Sequence, residues 1–223
     1  MLIGKQAIDR LQKSKVIIFG VGGVGGYVAE ALARSAVGTL CLVDNDKVSI
    51  TNINRQIIAL HSSIGRYKVD VAAERIHDIN PNCHVETKRM FYLPENADEI
   101  DIFQYDYVVD CIDTVKAKLE IARRCHQRNQ RLISSMGAAN KLNPAGFRVA
   151  DISKTQIDRL AKVIRKQLRR EGINHLKVVF SEEIPMKSSF FEDNPTPASI
   201  AFVPSACGLV IAGEVVRELM TDE

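Results

Sequence analysis

Two stretches of this sequence combine residue types suited to handling a phosphate ester. Gly20-Val21-Gly22-Gly23-Val24-Gly25 has the spacing of a glycine-rich turn between a strand and a helix. In such a turn the first glycine permits the tight bend, the second lets backbone approach a phosphate, and the third lets helix and strand pack closely. The helix N-terminus then offers free N–H groups and a positive dipole end to the anion. Gly20, Gly22 and Gly25 take those positions, and Gly23 and Gly26 add clearance. Downstream come Asp44-Asn45-Asp46 and then Asn52, Asn54, Arg55 and Gln56. An acidic residue such as Asp44 at a strand end suits hydrogen bonds to ribose hydroxyls, in NAD as well as in ATP. The polar cassette that follows is not required by a plain dinucleotide fold.

The cassette makes sense if a triphosphate is gripped and attacked at its α-phosphorus. Charge then grows on non-bridging and leaving oxygens, and fixed cations near them lower the barrier. Arg55 offers a planar fork to phosphate oxygens and Lys68 a point charge. Asp113, with Asp110 as second choice, could hold Mg²⁺, a hard cation that prefers oxygen ligands. The nucleotide set is therefore Gly20, Gly22, Gly23, Gly25, Asp44, Asp46, Asn52, Asn54, Arg55, Gln56, Lys68 and Asp113, with Arg55, Lys68 and Asp113 as catalytic candidates. No GxxxxGK[ST] loop is present, which argues against a Walker-type ATPase, and no Tyr-x-x-x-Lys pair supports hydride transfer. A non-catalytic nucleotide sensor remains an alternative.

These residues need a scaffold of alternating strands and helices. Strands are expected at 15–19, 39–43, 84–90, 107–111 and 131–135, and helices at 26–35, 65–79 and 116–129. Asn80-Pro81 stops the second of those helices. This rhythm predicts parallel βαβ units in a Rossmann-like sheet covered on both faces. Beyond Gly137 the pattern changes: strands at 147–152 and 177–180 flank a basic helix over 155–172, a loop-like stretch rich in Ser, Pro and acidic residues covers 185–197, and a helix closes the chain at 209–220. The expectation is one domain over 1–223, with a nucleotide-binding half (1–140) and an appended α/β half (141–223).

At 223 residues and 46% apolar, the composition is that of an ordinary globular protein. No apolar run is long enough to span a bilayer and no secretory leader is evident, so a cytoplasmic location is expected. The five cysteines never form CxxC, which argues against a zinc knuckle or disulfide framework. Net charge is only +3, but residues 154–177 hold eight basic side chains against two acidic ones. In the expected helix, Ile157, Leu160, Ala161, Ile164 and Leu168 share an apolar face, while Arg159, Lys162, Lys166 and Arg169 line another. A solvated surface helix is the plain reading. The single sign of the charge favours contact with a nucleic-acid backbone, and Arg165 and Arg170 join the candidate set.

The combination of the glycine loop, Asp44-Asn45-Asp46, Asn52-Ile53-Asn54-Arg55-Gln56, Lys68 and Asp110-Cys111-Ile112-Asp113 resembles the ubiquitin-activating-like superfamily of adenylating enzymes. The resemblance implies Gly23 near the phosphates, Asp44 on the ribose, Asn52, Arg55 and Lys68 on the triphosphate, Asp113 on Mg²⁺, and a homodimer. An arginine that some members donate from the partner's N-terminal region has no match at Met1-Leu2-Ile3-Gly4. Activators of sulfur-carrier proteins carry CxxC pairs in the second half, which this sequence lacks. Arg34-Ser35-Ala36-Val37-Gly38, the basic stretch 161–170 and Lys177-Val178-Val179-Phe180-Ser181 are instead similar to tRNA threonylcarbamoyladenosine dehydratases. That resemblance implies ATP-dependent cyclisation of the modified base near the tRNA anticodon, with sulfur-transfer proteins as possible partners. Activation of the C-terminal carboxylate of a ubiquitin-like sulfur carrier is the alternative.

Overall fold

The computed structural model describes residues 2–186 and 198–221. Five segments form consecutive parallel strands: β1 (Lys15–Phe19), β2 (Thr39–Val43), the polar edge strand β3 (His84–Lys88), β4 (Tyr107–Asp110) and β5 (Leu132–Ser135). With β6 (Phe147–Asp151) and β7 (Lys177–Ser181) they make one seven-stranded sheet in the order β3-β2-β1-β4-β5-β7-β6. The expected mostly parallel α/β fold is thus the one observed. Order reverses between β1 and β4, where the carboxyl ends of parallel strands leave a crevice. The exception to parallel pairing is β6, which runs antiparallel along the edge against β7.

Alternation along each strand sends neighbours to opposite faces. Val16 and Ile18 join Leu40, Leu42 and Val109 under α1 (Gly4–Lys13), α2 (Gly25–Arg34), α3 (Lys68–Ile79) and α6 (Phe202–Met220). Ile17 and Phe19 join Cys41, Val43 and Val108 on the other face, beneath the turns at 94–104 and α4 (Val115–Gln127). There α5 (Arg159–Arg170) lies beside α4, with Ala161, Ile164 and Leu168 packed against Leu119 and Ala122.

Three local departures from the sequence reading have physical causes. Helix α5 starts at Arg159 rather than 155 because the Asp158 carboxylate accepts the Ala161 N–H at 2.9 Å as an N-cap. Ile157 therefore lies outside the apolar face, at φ +64° and 52% exposed. Helix α6 begins at Phe202, not 209: Pro204 sits in the first turn, where its missing N–H costs no hydrogen bond. Helix α1 was not anticipated; it is short, and Leu11 is its buried residue. The segment expected as a loop at 185–197 lies mostly outside the described residues. Among the described residues no helix is long and apolar enough to cross a membrane.

Candidate active site

The glycine loop leaves β1 and enters α2 at the carboxyl edge of the sheet. Gly20 has φ +86°, and a Cβ there would meet the Cys111 carbonyl oxygen at 2.9 Å. A Cβ on Gly25 would overlap the Gly20 carbonyl at 1.8 Å, so this glycine serves helix–strand packing and does not line the cavity. Gly22 and Gly23 do line it. Near them, only the Gln56 amide comes within reach of a Gly22 Cβ, and Pro204 and Arg55 flank Gly23.

The cavity measures about 520 Å³ and opens between the ends of β1, β2, β4 and β5. On its walls are Gly20, Gly22, Gly23, Asp44, Asp46, Asn52, Arg55, Gln56, Lys68 and Asp113. Asn54 is not among them: its side chain donates to the Ser199 carbonyl at 2.9 Å and accepts from Arg55 Nη1 at 2.9 Å. Asp44 is fixed from two sides, accepting the Val21 N–H at 2.7 Å and the Asp46 N–H at 2.8 Å. One carboxylate thereby ties the end of β2 to the glycine loop. Asn52 accepts the Ser49 N–H at 3.1 Å, holding the cassette's opening turn. The Lys68 ammonium is buried at the start of α3 and paired with Asp46 at 2.7 Å.

The two acidic residues at the end of β4 have different environments. Asp110 is buried and held by three donors: Lys118 Nζ donates at 3.0 Å, Ser134 Oγ at 2.5 Å and the Ile112 N–H at 3.1 Å. It does not line the cavity, and the Asp110–Lys118 pair instead joins β4 to α4. Asp113 is exposed on the cavity wall, and among the described residues its hydrogen-bonding neighbour is the Thr114 hydroxyl at 3.5 Å. A hard, unpaired oxygen donor at this point fits Mg²⁺, which usually takes one or two carboxylates together with substrate phosphates. Among the described residues no group of three or more His, Cys, Asp and Glu is disposed for a metal, so the ion's remaining ligands would be phosphate oxygens and water.

A polar ligand also fits the buried atoms around the cavity. Among the described residues Gln56 Oε1 and Ser199 Oγ are buried without a hydrogen-bond partner, and both residues line the cavity. Sequence reasoning missed Tyr92 with Met90 and Phe91, the run 135–139, Leu160, Ser199 and Pro204. The first two groups follow the carboxyl ends of β3 and β5, where ligand contacts are expected in an α/β sheet; that positional rule was the usable signal. Ser199 and Pro204 arrive with α6 and had no local signal.

The thiols near the site are unsuited to nucleophilic attack, because burial pushes Cys111 well above the usual thiol range and Cys207 up to about 12. Along α5, Arg159, Lys162, Lys166, Arg169 and Arg170 are exposed. Arg165 turns inward instead, donating to the carbonyls of Ile152 and Thr155 and to the Thr155 hydroxyl. Leu160, at the start of α5, lies on the cavity wall, so the basic helix begins at the site.

Comparison with known proteins points the same way. A Bacillus subtilis tRNA threonylcarbamoyladenosine dehydratase is 45% identical over 236 residues, covering all of this chain and 93% of that protein. The Escherichia coli protein of the same name is 38% identical over 170 residues, with 76% of this chain and 63% of that protein matched. The crystal structure of the E. coli tRNA N6-threonylcarbamoyladenosine dehydratase in complex with ATP superposes with a TM-score of 0.89 at 32% identity, over 98% of this chain and 90% of that one. Residues 1–222 match the ThiF family, and with the glycine loop, the Asn52–Gln56 cassette and the strand-end carboxylates gathered on one cavity, the chain belongs to that family.

Proposed function

We propose that this chain is an ATP-dependent, adenylate-forming enzyme that dehydrates threonylcarbamoyladenosine in tRNA to its cyclic form. The observation that carries the reading is the convergence of Asp44, Arg55, Lys68 and Asp113 with Gly22 and Gly23 on one cavity. Similarity along the whole chain to the B. subtilis dehydratase supports the choice of substrate.

In this reading the N-terminal end of α2 receives the phosphates and Asp44 accepts from the ribose hydroxyls. Arg55 and Lys68 stabilise charge growing on the phosphate oxygens. Mg²⁺ bound at Asp113 would neutralise charge on the triphosphate. An oxygen of the threonyl carboxylate attacks the α-phosphorus, the bond to pyrophosphate breaks, and an acyl-adenylate forms. The carbamoyl oxygen then attacks the activated carbonyl, the bond to AMP breaks, and a proton is lost as the ring closes. The carboxylate oxygen leaves in AMP, so the nucleoside loses the elements of one water. Acid and urea belong to the same side chain, and their proximity removes the need for a protein nucleophile, in keeping with the protonated state of Cys111 and Cys207. The exposed bases of α5 hold the RNA backbone, which makes the segment 141–223 the tRNA-binding half. The enzyme works in the cytoplasm as a homodimer, for which the exposed Phe202 and Leu209 on α6 offer an apolar contact.

The test is incubation of the purified protein with ATP labelled at the α-phosphate and tRNA carrying the modification. Labelled AMP, pyrophosphate and a nucleoside lighter by one water are expected. ATP consumption only with a sulfur-carrier protein ending in Gly-Gly would assign the rival activity, and nucleotide binding without α-phosphate cleavage would leave a sensor. Adding sulfur-transfer proteins should not be needed for turnover.

A further inference from the structure

Asn54 belongs to the polar cassette yet makes no wall of the cavity, and both ends of its side-chain amide are engaged. Its Nδ2 donates to the Ser199 carbonyl and its Oδ1 accepts from Arg55 Nη1, each at 2.9 Å. The partners fix the amide's orientation, since a guanidinium only donates and a carbonyl only accepts. Arg55 Nη1 also donates to the Thr51 carbonyl at 2.9 Å. One nitrogen of the guanidinium is thus anchored twice, and among the described residues no acceptor meets Nη2 or Nε on this cavity-lining residue. That is the arrangement of a fork with its inner tine clamped and its outer edge left for an anion.

The clamp continues beyond Ser199. Ala198 and Asn140 exchange hydrogen bonds: the Asn140 N–H donates to the Ala198 carbonyl at 2.8 Å, and the Ala198 N–H donates to Asn140 Oδ1 at 2.8 Å. Asn140 has φ +59°, a left-handed conformation that asparagine tolerates better than most residues. It directly follows the cavity-lining run 135–139. Hydrogen bonds and the Ala198–Ser199 peptide link therefore make one path from Asn140, after β5, through Asn54 to the Arg55 guanidinium.

We infer that Asn54 is a positioning residue, which sets the orientation of the phosphate-binding Arg55 against a segment that Asn140 anchors to the opposite wall of the cavity. The inference rests on the adenylation reading and deepens it: the arginine is aligned for the transition state from the far side of the chain, and Asn54 itself touches no nucleotide.

A double-mutant cycle tests it, with pyrophosphate release at saturating ATP and tRNA as the rate and AMP affinity and thermal midpoint as controls. Asn54→Ala should lower kcat tenfold or more while AMP affinity changes less than twofold. In an Arg55→Ala background the same substitution should cost less than twofold, because its effect passes through the arginine. Asn140→Gly tolerates the left-handed backbone and removes the side chain that supplies the Oδ1 acceptor; a smaller loss in kcat, also absent in the Arg55→Ala background, is expected. Unchanged kcat in Asn54→Ala, or losses that multiply independently of Arg55, would overturn the positioning role while leaving adenylation intact. A wild-type protein that releases no pyrophosphate would remove the adenylation reading and this inference with it.

Discussion

The residues around the cavity divide by how their charges are compensated. Lys68 is buried and held by Asp46, Arg55 is clamped on one nitrogen, and Asp113 has no cation beside it among the described residues. Removing a preorganised cation from a site where charge develops typically lowers kcat by on the order of 10²–10³-fold. Lys68→Met is therefore expected to cut pyrophosphate release by about that factor, with the fold kept, since its partner Asp46 is 59% exposed and can be solvated when left alone. Retention of the wild-type rate would remove Lys68 from the phosphate set. Cys111 contrasts with it: the residue contributes to the cavity wall, but burial raises its thiol well above the usual thiol range. Cys111→Ala should change kcat less than threefold in the same assay, and a loss comparable to that of Lys68→Met would mean that a thiol carries the acyl group after all.

The elements do two jobs, presenting strand ends and closing the crevice above them. Buried Lys118 serves the first, donating to Asp110, to the Ser134 hydroxyl and to the Ser135 carbonyl, so that β4, α4 and β5 end in register beside the site. Lys118→Met leaves the Asp110 carboxylate buried without its cation, which costs about 3–5 kcal/mol; a lowered urea midpoint measures it, and an unchanged midpoint would show that the pair adds nothing. Much of this scaffold was legible in the sequence. The strands β1 and β2 lie where their apolar runs placed them, because central parallel strands buried on both faces need uninterrupted apolar residues. The glycine loop and the cassette were legible because their residue types follow from local geometry. The far wall was not: Ser199 and Pro204 meet Asn54 and Gly23 only through the return of α6 across α2, a contact 145 residues away in the chain for Asn54. Pro204 and Gly208 also disguised the helix that brings them, since both read as breakers. Gly208 is there for packing, as a Cβ would sit 2.5 Å from the Val24 carbonyl. Nor could the inward turn of Arg165 be read from a pattern of like charges, because its acceptors are backbone carbonyls of Ile152 and Thr155.

Across the whole molecule, the carboxyl edge of the sheet joins two surfaces of different physical character. The cavity is recessed and lined by residues of both charge signs, whereas α5 starts at its wall with Leu160 and runs away from it carrying exposed Arg159, Lys162, Lys166 and Arg169. From Arg159 to Arg170 the helix rises about 16 Å, enough to follow several phosphates of an RNA strand whose modified base lies in the cavity. Contacts of this kind release counterions, so they weaken steeply with salt, while a nucleotide gripped in a recessed site is less screened. Four such contacts correspond to a slope of about −3 in log affinity against log salt, or roughly fifty-fold between 50 and 200 mM. The affinity for tRNA should fall by about that much over this range in a filter-binding titration, while AMP affinity changes only a few-fold. Replacing Arg159, Lys162, Lys166 and Arg169 together by Gln should remove most of the slope and leave AMP affinity untouched. A slope that survives the fourfold substitution would place the RNA on another face of the molecule, and α5 would then be a solvated helix whose positive charge serves no partner.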